Sequence, residues 1–212
     1  MPGPLSQDLK ETWLQISGSS ESSLSEFTSI ERDYSSSNRY YHTLDHISSI
    51  IEQIEQLNLE PIEFKTITFA AFYHDIVYDT RSNDNESKSS HRARRFLSLI
   101  EYTDIDLVCD LIISTIDHRP LRDNPLFELF LDADLSILGA SPVKYREYAE
   151  NIRREYAWVD EARYVTGRID ILSRFLNRDK LYFSNEFRNR FETQARKNLQ
   201  NEINELNRSK HE

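Results

Sequence analysis

The sequence reads as an all-α protein, and three observations carry that reading. Only 4 glycines and 6 prolines interrupt 212 residues, too few for the many tight turns of a sandwich or barrel. Apolar residues recur at three-and-four spacing in one segment after another, the period of a helix face. No alternating apolar and polar run is long enough for a strand. The 11 Tyr and 11 Phe add large surfaces for helix packing. The length suffices for one sizeable core. We therefore expect a single helical domain over residues 1–212, with helices of about 5–34 packed on it and a tail frayed after about 207.

The elements follow in order. Helices are expected at 5–16 and 23–34, bounded by serine-rich stretches at 17–25 and 35–37, since serine competes for backbone hydrogen bonds and caps well. Residues 35–41 lead irregularly into a helix of about 43–59, where Leu44, Ile47, Ile50, Ile51 and Ile54 share one face. Pro61 suits the next helix start, because its missing N–H costs nothing there. Residues 62–78 are apolar on most sides and predict the most deeply buried helix. A polar loop at 79–87 follows. Further helices are expected near 86–101, 105–117, 126–138, 142–158, 160–177 and 184–207. Ile171, Leu172, Phe175, Phe187 and Phe191 are core-type residues, which argues against a separate C-terminal domain.

Charge and composition exclude several function classes. A net charge of −10 disfavours a nucleic-acid polymer as partner, because phosphate backbones need a positive face. The clusters Arg92/Arg94/Arg95, Arg153/Arg154 and Arg188/Arg190 read as solvated helix faces. The single cysteine, Cys109, excludes an intramolecular disulfide and reads as a small buried hydrophobe. Residues 1–17 lack a basic segment followed by an apolar core, and no apolar run approaches the roughly 20 residues of a membrane span. The expectation is a cytoplasmic protein with no membrane partner; a homo-oligomer is compatible with the sequence.

Three polar clusters interrupt apolar segments. Arg39-Tyr-Tyr-His42-Thr-Leu-Asp-His46 places two histidines four apart, about 6 Å from each other on one helix face. His74-Asp75 sits between Phe69-Ala-Ala-Phe-Tyr73 and Ile76-Val77, where a charge is costly unless it is paired or bound to a metal. Leu131-Asp132-Ala-Asp134-Leu135 sets carboxylates beside aliphatics. Each has a plainer alternative: two partly exposed histidines, a cap or local ion pair, and two helix-capping aspartates. Together, two imidazoles and two carboxylates on successive helices make a mixed nitrogen and oxygen shell with positions left for water or substrate.

The order His, His-Asp, Asp resembles the HD superfamily of metal-dependent phosphohydrolases. The phrases RYYHTLDHI, FYHDIVYD, DNESKSS and LDADLSILG look most like a group of HD phosphohydrolases without an agreed substrate. This resemblance extends from about residue 8 to residue 206. The first phrase is also similar to the histidine pair of cyclic-nucleotide phosphodiesterases. The resemblance implies a helical bundle with a central metal site held by His46, His74, Asp75 and Asp134. His46 is preferred over His42 because Ile50, four residues on, supplies the aliphatic that follows the family's first ligand. Asp132 is then a helix cap or a supporting group.

The same resemblance implies a phosphohydrolase cleaving a nucleotide or a related phosphomonoester or diester. The cofactor is a divalent ion (Mn, Fe, Co, Ni, Zn or Mg), with a second ion open. Such an ion lowers the pKa of its water from about 16 towards 7 and polarises a phosphoryl oxygen. His42 is the candidate general acid, Asp75 the candidate orienter of the attacking water, and Glu86 a supporting base or, alternatively, a carboxylate favoured by a helix N-terminus. Arg39, then Arg168 and Arg196, are candidates for phosphate recognition, the last two with an ion-pair alternative. His118 is either a substrate contact or a helix cap, His91 lies on a polar face, and His211 belongs to the tail. An HD-type di-iron oxygenase would need His91 or His118 as further ligands. A metal-binding regulatory protein without turnover is the other alternative.

Overall fold

The computed structural model describes residues 4–209, and every regular element among them is helical. The helices are α1 (Pro4–Ser17), α2 (Glu21–Tyr34), α3 (Leu44–Glu55), α4 (Pro61–Tyr73), α5 (Asn85–Leu99), α6 (Ile105–Ser114) and α7 (Pro125–Asp134). A 3-10 helix, Leu135–Gly139, leads to α8 (Pro142–Glu155), α9 (Glu161–Leu176) and the short α10 (Asn185–Phe187). A π-helical turn, Arg188–Glu192, then opens into α11 (Thr193–Ser209). Among the described residues, no helix is long and apolar enough to cross a membrane. His211 lies outside the described residues.

The chain divides into two compact units, meeting in sequence between Ala133 and Asp134. In the first unit α4 is the hub. Its residues Thr66 to Tyr73 are all buried, and it packs against α1, α3, α5 and α6. Trp13 of α1 is fully buried, with its ring 5.1–5.9 Å from those of Phe69, Phe72, Tyr73 and Phe96. Its indole N–H donates to the Ser23 carbonyl at 2.8 Å, so the N-terminal helices belong to this core. Arg92 of α5 joins Glu26, Ser29 and Asp33 of α2, and Tyr73 donates to Glu26 at 3.0 Å.

In the second unit α11 packs on α9 and on the 3-10 helix. Gly139 permits a close approach: a Cβ there would stand 2.5 Å from Phe191 Cβ and 2.8 Å from its carbonyl oxygen. The Asn198 amide donates to the carbonyls of Leu138 and Ala140 at 2.8 and 2.9 Å. Tyr182 donates to the Leu135 carbonyl at 3.0 Å.

Several helices stop earlier than their apolar pattern suggests. Helix α3 ends at Glu55, not near 59, and Glu60, immediately before Pro61, is extended (φ −66°, ψ 152°). Helix α6 ends at Ser114, not 117. There His118 adopts φ +47°, and the Arg119 N–H reaches back to the Ser114 carbonyl at 3.2 Å, the six-to-one bond of a Schellman ending. Glu101 ends α5 in the same way, with φ +53° and Tyr102 N–H bonded to the Leu97 carbonyl at 2.9 Å. Helix α4 ends at Tyr73 instead of 78, which places His74-Asp75 in the turn that closes it and not in mid-helix.

Candidate metal centre

The close of α4 is held from outside its own helix. Arg39 is 8% exposed; its Nη1 donates to the carbonyls of His42 and Asp75 at 3.1 and 2.7 Å, and its Nη2 to that of Ile76 at 3.0 Å. The guanidinium lies over the rings of Tyr34 and Tyr78 at 4.8 and 5.2 Å. Tyr34 donates its hydroxyl to the Phe72 carbonyl at 3.1 Å. The last carbonyls of a helix lack intrahelical partners; Tyr34 supplies one for Phe72, and Arg39 holds the carbonyls just beyond the helix. On the far side of the turn the Val77 N–H donates to Ser89 Oγ at 3.1 Å.

His46 is the third residue of α3, behind the N-cap Thr43, whose hydroxyl accepts from the Asp45 N–H. His42 precedes that cap, in a bend, so it does not share a helix with His46 as its spacing suggests. The bend still brings their ring centres to 5.8 Å. The Tyr78 ring lies 4.4 Å from that of His42, and Tyr41 lies 4.7 Å from His46.

Three metal-type donors meet here. His46 Nε2 and His74 Nε2 are 3.3 Å apart, His74 Nε2 is 2.9 Å from Asp75 Oδ2, and His46 Nε2 is 3.9 Å from it. Both histidines are buried and the Asp75 side chain is 18% exposed. The point equidistant from the three atoms falls inside their triangle, about 2.0 Å from each by plane geometry on those distances, which is the length of a metal bond to imidazole nitrogen or carboxylate oxygen. His74 Nδ1 lies 2.9 Å from the Ala71 carbonyl. A carbonyl can only accept, so Nδ1 carries a proton, and Nε2 is the nitrogen that faces Asp75. The donor set therefore fits a divalent cation. Its position at the C-terminal end of α4 also fits, because the helix dipole is negative there.

Burial alone would raise the Asp75 carboxyl, but His74, then His42 at 3.8 Å and His46, outweigh it and hold the group well below the usual carboxylate range. Desolvation, reinforced by the Asp75 charge, raises the Tyr34 phenol well above its ordinary value, so it stays a neutral donor.

The other expected site residues are placed as follows. Among the described residues, the donors within 4.8 Å of one another are those of His46, His74 and Asp75. Glu86 is half-buried in the first turn of α5, where the helix dipole favours a carboxylate. Asp134 is the last residue of α7 and the first of the second unit, 9% exposed; Asp132 is fully buried. Arg39 spends its planar fork on three carbonyls instead of offering it to phosphate. Arg168 is committed to Glu202 (Nε to Oε1, 2.7 Å) within the second unit. Arg196 donates to the carbonyls of Leu176, Arg178 and Asp179 at 2.8–3.0 Å and pairs with Glu192. Both make the ion pair of the alternative reading. His118 occupies the left-handed position that ends α6, the capping alternative, and His91 is exposed on α5.

Sequence reasoning missed Tyr34, Tyr78 and the Ala71 carbonyl. Tyr78 lies beyond the end of α4, so its meeting with His42 follows from the fold and not from its spacing to His74. A backbone carbonyl carries no sequence signal. Comparison of the chain with protein-family models, with curated proteins and with solved structures finds no match.

Proposed function

We propose that this chain is a metal-dependent phosphohydrolase of the HD type, acting on a small phosphate ester of the nucleotide class. The observation that supports it most is the triangle of His46 Nε2, His74 Nε2 and Asp75 Oδ2, whose centre lies about 2.0 Å from all three atoms. A divalent ion, when bound, supplies an acidified water and charge for the phosphoryl oxygens. The protein's own part is to hold that ion through the imidazoles of His46 and His74 and the carboxylate of Asp75, whose carboxyl is kept well below the usual range.

His42 does different work. It lies 3.8 Å from Asp75 Oδ2 with 19% of its side chain exposed, and the Tyr78 ring braces it. It is close enough to share the centre's environment and open enough to meet substrate, which suits delivery of a proton from imidazole to the leaving oxygen. Asp134 joins this reading as a further ligand on the sequence resemblance alone.

Metal analysis of the purified protein, followed by assay on p-nitrophenyl phosphate and a panel of nucleotides, tests the reading. Bound divalent metal with metal-dependent phosphate release is the expected result. Bound metal with no turnover across the panel would favour a metal-binding regulatory protein, and no affinity for any divalent ion would overturn the metal centre itself.

A further inference from the structure

We infer that Arg39 is the positioning residue of the metal centre, setting the spacing of its donors without touching the ion. This rests on the metal reading above. The residue was expected to meet phosphate, yet its fork is filled by carbonyls from two separate segments. One Nη1 bridges the His42 and Asp75 carbonyls, and Nη2 takes that of Ile76. A single side chain thereby ties the bend that carries His42 and leads into His46 to the turn that carries His74 and Asp75.

The fork is itself held in place. Tyr34 and Tyr78 flank it, and Tyr78 also meets the His42 ring. Tyr34 secures the preceding carbonyl of α4, that of Phe72. Helices α1, α5 and α6 end through a left-handed residue, Gly18, Glu101 and His118 respectively, each a local solution. The turn that closes α4 is tied by a group 36 residues away in sequence, and that group joins the His-Asp turn to the bend that carries His42. Lysine cannot substitute, because a tetrahedral ammonium does not reproduce three planar N–H directions while stacked between two rings.

The test compares metal affinity with folding. Wild type, Arg39→Lys and Arg39→Met are titrated with Mn2+ and with Zn2+ by calorimetry, and each is melted without metal. Arg92→Lys is the control, since Arg92 makes a comparable set of contacts to Glu26, Ser29 and Asp33 in the same unit. Supporting groups around metal ligands typically contribute about 10–100-fold in affinity, and that loss is expected in both folded Arg39 variants. Arg92→Lys should lower the melting temperature and leave affinity unchanged. Wild-type affinity in either folded Arg39 variant overturns the inference while leaving the metal centre intact. Absence of metal binding by wild type overturns both. Should the two Arg39 variants fail to fold, Tyr78→Leu, which removes one wall of the stack, carries the test: a severalfold weaker site is expected, and unchanged affinity refutes the positioning role.

Discussion

The two units differ in one of the polar clusters that they bury. In the second, Arg168 meets Glu202 at 2.7 Å and Tyr148 at 3.3 Å, Tyr145 also donates to Glu202, and Asn198 is spent on two carbonyls. Donor faces acceptor and cation faces anion, so the network lowers its own energy. In the first, beside the matched set around Arg92, two imidazole nitrogens and a carboxylate oxygen, three metal-type donor atoms, lie within 3.9 Å of one another. Such an arrangement is stabilised by a cation placed among its members. Burial of a polar residue is therefore no guide to function by itself; the match or mismatch of the groups that are brought together is.

The comparison can be broken most sharply at Asp75. Asp75→Asn keeps the shape and removes the charge, so the protein should stay folded. Its affinity for divalent metal should fall by more than the roughly 10–100-fold typical of supporting groups, and phosphate release should be lost without recovery on adding metal. Near-normal turnover would sink the mechanism. His42→Ala comes next: metal content is expected to persist while turnover of substrates with poor leaving groups falls by about 10²–10⁴. Substrates with good leaving groups should suffer less, and metal loss in this variant would make His42 a ligand.

For the second unit the expected losses are in stability. Arg168→Met strands the Glu202 carboxylate in a largely buried position and should cost about 3–5 kcal/mol in urea unfolding, with metal content unchanged. A metal-content change without a stability change would return Arg168 to the site. Gly139→Ala drives a methyl group into the Phe191 backbone and should cost about 1–3 kcal/mol; a neutral result would mean that α11 shifts readily. The smallest effect belongs to the ion pairs of the first unit. Burial opposes ionisation of Asp33, but Arg92 and Arg32 outweigh it and lower its pKa. A depressed folded-state pKa stabilises above the unfolded value of 3.8 and is lost as pH falls through the folded one. Asp33→Asn should therefore flatten the acid limb of the stability curve below about pH 4, with little change in its slope at neutral pH.

Local sequence determined much of this protein. The three-and-four spacing of Ile47, Ile50, Ile51 and Ile54 marks the buried face of α3, and the apolar run of Thr66 to Tyr73 marks the central helix. Helix starts followed Ser20, Thr43, Pro61, Ser141 and Asp160, because capping depends on atoms within a few residues. His46, His74 and Asp75 stood out as polar residues in apolar surroundings, and they are the three that meet. Tertiary structure decided where α4 stops: its apolar pattern continues to Tyr78, but Tyr34 takes the Phe72 carbonyl and Arg39 those of Asp75 and Ile76. It also decided what each arginine does. A guanidinium is satisfied by whatever acceptors the fold brings to it, and the partners of Arg39, Arg168 and Arg196 lie up to 37, 34 and 20 residues away. Spacing along a helix encodes neighbours one turn off, whereas the direction of a long, flexible cation is set only when distant carbonyls and carboxylates arrive beside it.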